Sequence, residues 1–210
     1  MERNDANLEI IIYLVRHGET DWNLNHRFQG RSDVPLNETG RKQANALALM
    51  LKNDPINAIY ASPLIRALET ARLIKTFHPQ IPIIEQEGII EMDLGEFEGM
   101  EGKTWFEKYP DFIKLWRDRP SDVVMPGGES IKSVQSRAVK TLNQILDLHS
   151  LGSAILICSH NFVILSLLCH IMNVSLDKFR DLKQETGSMS IVHKNADKMY
   201  VKEMNIRTLK

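Results

Sequence analysis

Leu8-Glu9-Ile10-Ile11-Ile12-Tyr13-Leu14-Val15 runs without a break into Arg16-His17-Gly18. After Glu9 the run is aliphatic and β-branched, and it lacks the alternation expected of a strand with one wet face. It reads as a strand buried on both faces, as in the interior of a parallel sheet. Asn57–Ala61 and Ala154–Cys158 have the same character.

Helical patterns fill the intervals between these strands. Asn37 is placed to cap a helix carrying Ala44, Leu47, Ala48 and Leu51 on one face. Ser62-Pro63 predicts an N-cap followed by proline at the first helical position, with Leu64, Leu68, Ala71 and Ile74 as the apolar face. Ile81–Ile84 predicts a third strand, confined by Pro82 to a sheet edge. Ile131, Val134, Ala138, Leu142 and Ile145 mark an amphipathic helix, and Phe162–Met172 a more uniformly apolar one. Met189–His193 and Met199–Ile206 read as closing strands. This succession predicts an α/β three-layer sandwich, with a mainly parallel central sheet and helices on both faces.

Residues 95–128 break the pattern. They hold Phe97, Trp105, Phe106, Tyr109, Phe112 and Trp116, six of the fourteen aromatic residues, and end at Pro126-Gly127-Gly128. We read them as a small, partly helical cap inserted in one domain spanning 1–210.

The chain has 26 Lys and Arg against 27 Asp and Glu. This balance argues against a broad nucleic-acid-binding face but leaves room for a local positive pocket. No apolar run approaches the length of a membrane helix, and the start, Met1–Glu9, does not resemble a signal peptide. Cys158 and Cys169 lie in apolar surroundings without CxxC spacing, so the expectation is two reduced core thiols in a cytoplasmic protein.

Three strands end in the same chemical style. The first enters Arg16-His17, the second enters Ser62-Pro63 with Arg66 just beyond, and Ala154–Cys158 enters Ser159-His160. Ligands of open α/β sheets bind beyond the carboxyl ends of the strands, where helix N-termini favour anions. A single arginine there is usually a surface ion-pair partner. Two arginines and two histidines at equivalent positions instead make a pocket for a phosphate-like anion.

The ordered set Leu14-Val15-Arg16-His17-Gly18-Glu19-Thr20 with Trp22-Asn23, Phe28 to Leu36, Gly40, Gln43-Ala44, Ala61 to Ala67 with Thr70-Ala71, Glu91 to Gly95 with Phe97-Glu98-Gly99, Gly128-Glu129-Ser130 and Ser159-His160 resembles the histidine phosphatase superfamily, the phosphoglycerate mutase-like proteins. Within it, the chain is most similar to broad-specificity and α-ribazole phosphatase-type members. The resemblance spans about residues 10 to 170 and is specific because the pieces occur in order.

The resemblance implies that His17 attacks phosphorus and becomes a phosphohistidine, while Arg16, Arg66 and His160 clamp the phosphoryl oxygens. Asn23 matches a phosphate-contacting position, and Gln29 one that contacts phosphate or substrate. Glu91 matches the general acid and base, which must be protonated to serve the leaving oxygen. Glu96 and Glu98 are its solvated or structural rivals, and Glu129 a capping or supporting group. Many relatives carry His-Gly-Gly where this chain has His160-Asn161-Phe162. The backbone N–H of Asn161 can still face phosphate, while Phe162 narrows the pocket or alters substrate choice. Leu165 stands where an arginine is frequent. His26, His78, His149, His170 and His193 have no partner motif and read as surface or structural groups.

The implied activity is a metal-independent phosphomonoester hydrolase acting on a small-molecule phosphate ester, with no metal site, cofactor, nucleic acid or membrane partner. The alternatives are a bisphosphoglycerate-dependent phosphoglycerate mutase and a catalytically inactive phosphate-binding module. A mutase usually carries a longer insertion, whereas here Glu129 follows Glu91 by only 38 positions. Among phosphatases, α-ribazole phosphate, phosphoserine, 3-phosphoglycerate, sugar phosphates and aryl or alkyl phosphates all remain open as substrates. Monomer and edge-strand homodimer stay open too.

Overall fold

The computed structural model describes residues 8–207. The leading residues 1–7, included in the signal-peptide reading, and residues 208–210 at the end of the expected domain lie outside them.

The first strand, β1 (Ile10–Arg16), is central. Its alternate side chains serve two separate cores. Ile12 and Leu14 join one apolar cluster, and Tyr13 and Val15 join the other. A strand with two dry faces has no need of polar residues, hence the unbroken apolar run. Ile12, Leu14 and Val15 are fully buried, and each such side chain contributes about 1.5–3 kcal/mol by leaving water.

The remaining elements are α1 (Asp21–Leu24), α2 (Glu38–Met50), β2 (Ile56–Ala61), α3 (Ile65–Lys75), β3 (Ile83–Glu85), α4 (Gly102–Lys108), α5 (Pro110–Asp118), α6 (Ile131–Leu146), β4 (Ala154–Ser159), α7 (Asn161–Ile171), β5 (Met189–Lys194) and β6 (Met199–Ile206). The six-stranded sheet has the order β3-β2-β4-β1-β5-β6. β1, β2, β3 and β4 run parallel, and β5 and β6 add antiparallel. Residues of α2 and α3 pack in the Val15 cluster, and residues of α6 and α7 in the Leu14 cluster. The fold is thus the expected α/β sandwich, with β3 at an edge as Pro82 suggested.

Register aligns the three strand ends. Arg16 lies opposite Ser159, and Ala61 lies opposite Cys158. The residues that follow, His17, Ser62 and His160, therefore leave three neighbouring parallel strands at one edge.

Asn37 caps α2 as its position suggested, accepting from the Gly40 N–H at 2.8 Å. The start of α3 differs from expectation. The helix begins at Ile65, with Leu64 at the N-cap and no capping contact from its own side chain. The Ser62 hydroxyl is drawn to His160 and reaches the Leu64 N–H only at 3.4 Å. Asp33, from a distant loop, accepts from the Ile65 N–H at 2.7 Å instead.

In the aromatic stretch, α4 and α5 precede a 3₁₀ turn at Pro120–Asp122. Phe97 packs edge-on against Trp105, Tyr109 and Phe112, with ring centroids 5.0–5.8 Å apart. Phe97, Trp105 and Trp116 are buried in the same core as Leu14, whereas Phe106 is exposed.

Candidate active site

His17 follows β1 and is buried. Its Nδ1 lies 2.7 Å from the carbonyl oxygen of Gly18. A carbonyl only accepts, so Nδ1 carries the proton and Nε2 keeps its lone pair. Burial, followed by the charges of Arg66 and Arg16, holds the ring well below the usual imidazole range. His17 is therefore a neutral imidazole with a fixed tautomer.

The His160 ring stands 5.1 Å from that of His17, centroid to centroid. Its Nε2 meets Ser62 Oγ at 2.7 Å, while its buried Nδ1 has no partner among the described residues. Burial and the neighbouring cations also keep this ring neutral. Buried polar atoms are normally paired, so the free Nδ1 marks a place for a ligand atom.

Arg16 and Arg66 are held by groups that cannot neutralise them. Arg16 Nη1 donates to the Gln184 carbonyl (2.6 Å) and to Asn161 Oδ1 (3.1 Å), while its buried Nε is unpaired. Arg66 is fully buried, and donates to the carbonyls of Gly30 (2.6 Å) and Ser32 (2.8 Å). Carbonyl acceptors orient a guanidinium but leave its charge for an anion. Burial lowers both arginines to about 10.

Gln29 and Asn23 support this cage through Thr20. The Gln29 amide donates from its nitrogen to Thr20 Oγ1 at 2.6 Å, and its oxygen accepts from Arg66 Nε and Nη1 at 3.0 Å each. The Thr20 hydroxyl donates to Asn23 Oδ1 at 3.0 Å and accepts from the Asn23 N–H at 3.2 Å. This reciprocal cap starts α1 and leaves the Asn23 amide nitrogen to donate elsewhere. Asn23 lines an open cavity together with Arg16.

Glu91 is buried, with Oε1 accepting from the Met92 N–H (2.9 Å) and Oε2 lying 3.4 Å from the Phe162 N–H at the start of α7. Burial raises its pKa against the opposing pull of the Met92 N–H, Arg66 and Arg16. The carboxyl group is thus poised to hold a proton. Phe162, whose N–H faces Glu91, also lines a cavity of about 500 Å³ together with Phe28, Trp105, Trp116 and Phe179.

The structure gathers Arg16, His17, Arg66, Glu91, His160 and Asn161 at one sheet edge, with Gln29 placed against Arg66. Glu129 caps no helix; it pairs with Arg137 at 3.0 Å and accepts from the Asp93 N–H. Glu98 accepts from Ser32 Oγ and from the Arg31 N–H, and Glu96 is exposed. Leu165 and Phe162 both line the aromatic cavity. Sequence reasoning missed Thr20, Arg137 and the service of Ser62 to His160. Thr20-x-x-Asn23 did carry a local signal, the spacing of a capping box.

The remaining histidines stand apart. His149 pairs with Tyr60, His193 with Glu9, and His78 with the Leu51 carbonyl. His26 and His170 are exposed. Cys158 and Cys169 are free buried thiols, both raised by burial. Among the described residues, no group of three or more His, Cys, Asp and Glu is arranged to hold a metal ion, and no helix is long and apolar enough to cross a membrane.

Comparison with known proteins agrees with this geometry. The family model "Histidine phosphatase superfamily (branch 1)" matches residues 12–207. The chain is 33% identical over 195 residues to phosphoserine phosphatase 1 of Hydrogenobacter thermophilus, covering 93% of this chain and 92% of that protein. It is 31% identical over 179 residues to 2,3-bisphosphoglycerate-dependent phosphoglycerate mutase 2 of Gloeobacter violaceus, covering 83% and 81%. The solved structure of YhfR from Bacillus stearothermophilus superposes with a TM-score of 0.90 at 30% identity, over 96% of this chain and 100% of that one.

Proposed function

The chain belongs to the histidine phosphatase superfamily, branch 1, a family of phosphatases and mutases, and from that premise we propose that it is a metal-independent phosphomonoester hydrolase working through a phosphohistidine at His17. The observation that carries this reading is the neutral, tautomer-fixed His17 inside a cage of Arg16, Arg66 and His160, with the buried Glu91 at its rim.

In the first step, His17 Nε2 forms a bond to phosphorus as the bond to the leaving oxygen breaks. Glu91 gives its proton to that oxygen, so an alcohol departs. In the second step, Glu91 takes a proton from water, the water oxygen bonds to phosphorus, and the N–P bond breaks to release inorganic phosphate. Arg16, Arg66, His160 Nδ1 and the Asn23 amide hold the equatorial oxygens, where positioning and charge do most of the work. The Asn161 N–H at the start of α7 adds a backbone donor. General acid catalysis of this kind contributes about 10²–10⁴-fold.

Hydrolysis is favoured over mutase chemistry by the surroundings of Glu91. The adjoining cavity is walled by Phe28, Trp105, Trp116 and Phe162, and its two arginines are engaged elsewhere, Arg180 over the Trp116 and Phe179 rings and Arg117 with Asp118. Such walls suit the organic part of a monoester better than a second phosphate. In this reading, residues 95–128 cap the site and furnish part of that wall.

The test is a panel of phosphomonoesters assayed with and without chelator. It includes 3-phosphoglycerate primed with a bisphosphate. The expected result is chelator-resistant release of phosphate, inhibition by vanadate, and an acid-labile phosphoenzyme that vanishes in His17→Ala. Efficient interconversion of 2- and 3-phosphoglycerate would establish the mutase instead. Phosphate binding without turnover would establish the inactive module.

A further inference from the structure

The loop that delivers Glu91 has no regular hydrogen-bonding partner strand. It passes through a 3₁₀ turn at Glu87–Ile89 and continues extended through Ile90. Its backbone carbonyls are nevertheless claimed one after another by side chains from other elements. Arg137, on α6, donates from Nη1 to the Gly88 carbonyl and from Nη2 to the Glu91 carbonyl, each at 3.0 Å. Ser159 Oγ, at the end of β4, donates to the Ile89 carbonyl at 2.8 Å.

Arg137 is itself fixed in place. Its Nε and Nη2 form a two-point pair with Glu129 Oε1 and Oε2, both at 3.0 Å. Glu129 reaches back to the same loop, accepting from the Asp93 N–H at 3.0 Å, and its own N–H donates to the Asp93 carbonyl at 2.9 Å. The contact leaves no slack. A Cβ on Gly128 would lie 2.4 Å from the Asp93 carbonyl oxygen, and one on Gly88 would lie 1.8 Å from Thr141 Oγ1 of α6. Both Arg137 and Glu129 have about four-fifths of their side-chain surface buried, where a two-point ion pair is geometrically demanding.

We propose that Arg137, locked by Glu129, is a positioning residue that sets the place of the Glu91 carboxyl group by gripping the carbonyls of Gly88 and Glu91, while Glu129 holds Asp93 on the far side. The inference rests on Glu91 being the proton donor. Among the described residues neither Arg137 nor Glu129 is hydrogen-bonded to Arg16, His17, Arg66 or His160. Glu129 also pairs with Arg31 at 3.3 Å, and the Arg137 charge is felt at His160. The direct hold of the clasp is on the loop that delivers the proton, and a loss confined to the alkyl ester separates that role from one in phosphate binding. A misplaced donor costs most when the leaving oxygen is a poor leaving group, and nothing when the alcohol departs readily as an anion.

The experiment measures kcat/KM, which reports the step that loads His17, for an alkyl phosphate and for p-nitrophenyl phosphate. The enzymes are the wild type, Arg137→Met, Glu129→Gln, Glu91→Gln and the Glu91→Gln/Arg137→Met double variant. Arg137→Met is expected to lose roughly 10–100-fold on the alkyl ester and under about 3-fold on the aryl ester. Glu129→Gln, which keeps its size and its bond to the Asp93 N–H, is expected to lose less with the same selectivity. The double variant should be no slower on the alkyl ester than Glu91→Gln alone, because a clasp has nothing to position once the acid is gone.

Equal losses on both esters, or none on either, in Arg137→Met and Glu129→Gln would overturn the proposal. A Glu91→Gln enzyme lacking leaving-group selectivity would instead refute Glu91 as the acid. If Arg137→Met fails to fold, Glu129→Gln decides the matter.

Discussion

A Cβ on Gly18 would lie 2.3 Å from the carbonyl oxygen of Gly40, and a Cβ on Gly40 would lie 2.0 Å from the carbonyl oxygen of Glu19. The loop bearing His17 and the first turn of α2 thus meet backbone to backbone. Neither glycine has a positive φ, so space and not conformational freedom selects them.

Gly40→Ala separates two opposite expectations. Helix propensity alone favours alanine by about 1 kcal/mol. The close approach predicts destabilisation by roughly 1–3 kcal/mol, with a further loss of turnover as the His17 loop is pushed aside. A urea titration and kcat/KM on one preparation check both. A variant more stable than the wild type would contradict the packing argument.

Arg66→Lys tests the forked cation. Lysine retains the charge but cannot donate at once to the Gly30 and Ser32 carbonyls and to phosphate oxygens. The expected loss in kcat/KM is about 10²–10³-fold, together with a lower melting temperature, because buried carbonyls lose their donor. Near-normal kinetics would show that Arg66 supplies charge alone.

Ser62→Ala removes the one hydrogen-bond partner of His160 Nε2 among the described residues. The ring then loses its orientation, and the expected cost is about 5- to 10-fold in kcat/KM, the value of a single hydrogen bond. Steady-state kinetics with Ser62→Thr as the conservative control will measure it. An unchanged rate in the alanine variant would show that packing alone holds the ring.

Two pH dependences follow from the buried groups. Loading of His17 needs a neutral imidazole and a protonated Glu91. For an alkyl phosphate, kcat/KM should therefore rise with pH through the lowered His17 pKa and fall through the raised Glu91 pKa. The alkaline limb should vanish with an aryl ester that needs no proton.

Stability follows the same groups. Unfolded His17 and His160 take up protons near 6.5 that the folded protein refuses. Stability should thus be lost as pH falls below that value. Glu91 acts oppositely between 4.5 and its raised pKa, favouring the fold while protonated. Urea midpoints across this range should fall on acidification, and fall less steeply in His160→Asn.

Much of the site was legible because its geometry is a consequence of strand order. Arg16-His17 and Ser159-His160 follow buried apolar runs, and two such runs paired in parallel bring their ends together. Glu91 was legible only through the motif around it, since no regular element presents it. Ser62 was misread as a helix cap because sequence shows the local partner, Leu64, and not the distant one, His160. Gln29 presents an amide whose service to Arg66 has no local signature.

The chain's alternation of apolar runs and amphipathic periods, by itself, determined the layered α/β fold and the residues at its strand ends, because burial on one or two faces is written in local spacing. Only tertiary structure decided how those residues are held: the His17 tautomer by the Gly18 carbonyl, His160 by Ser62, Arg66 by Gly30 and Ser32, and the Glu91 loop by Arg137. Each of these is a hydrogen bond whose strength depends on a few tenths of an ångström. Except for the Gly18 carbonyl, each joins residues far apart in the chain, where sequence spacing carries no distance.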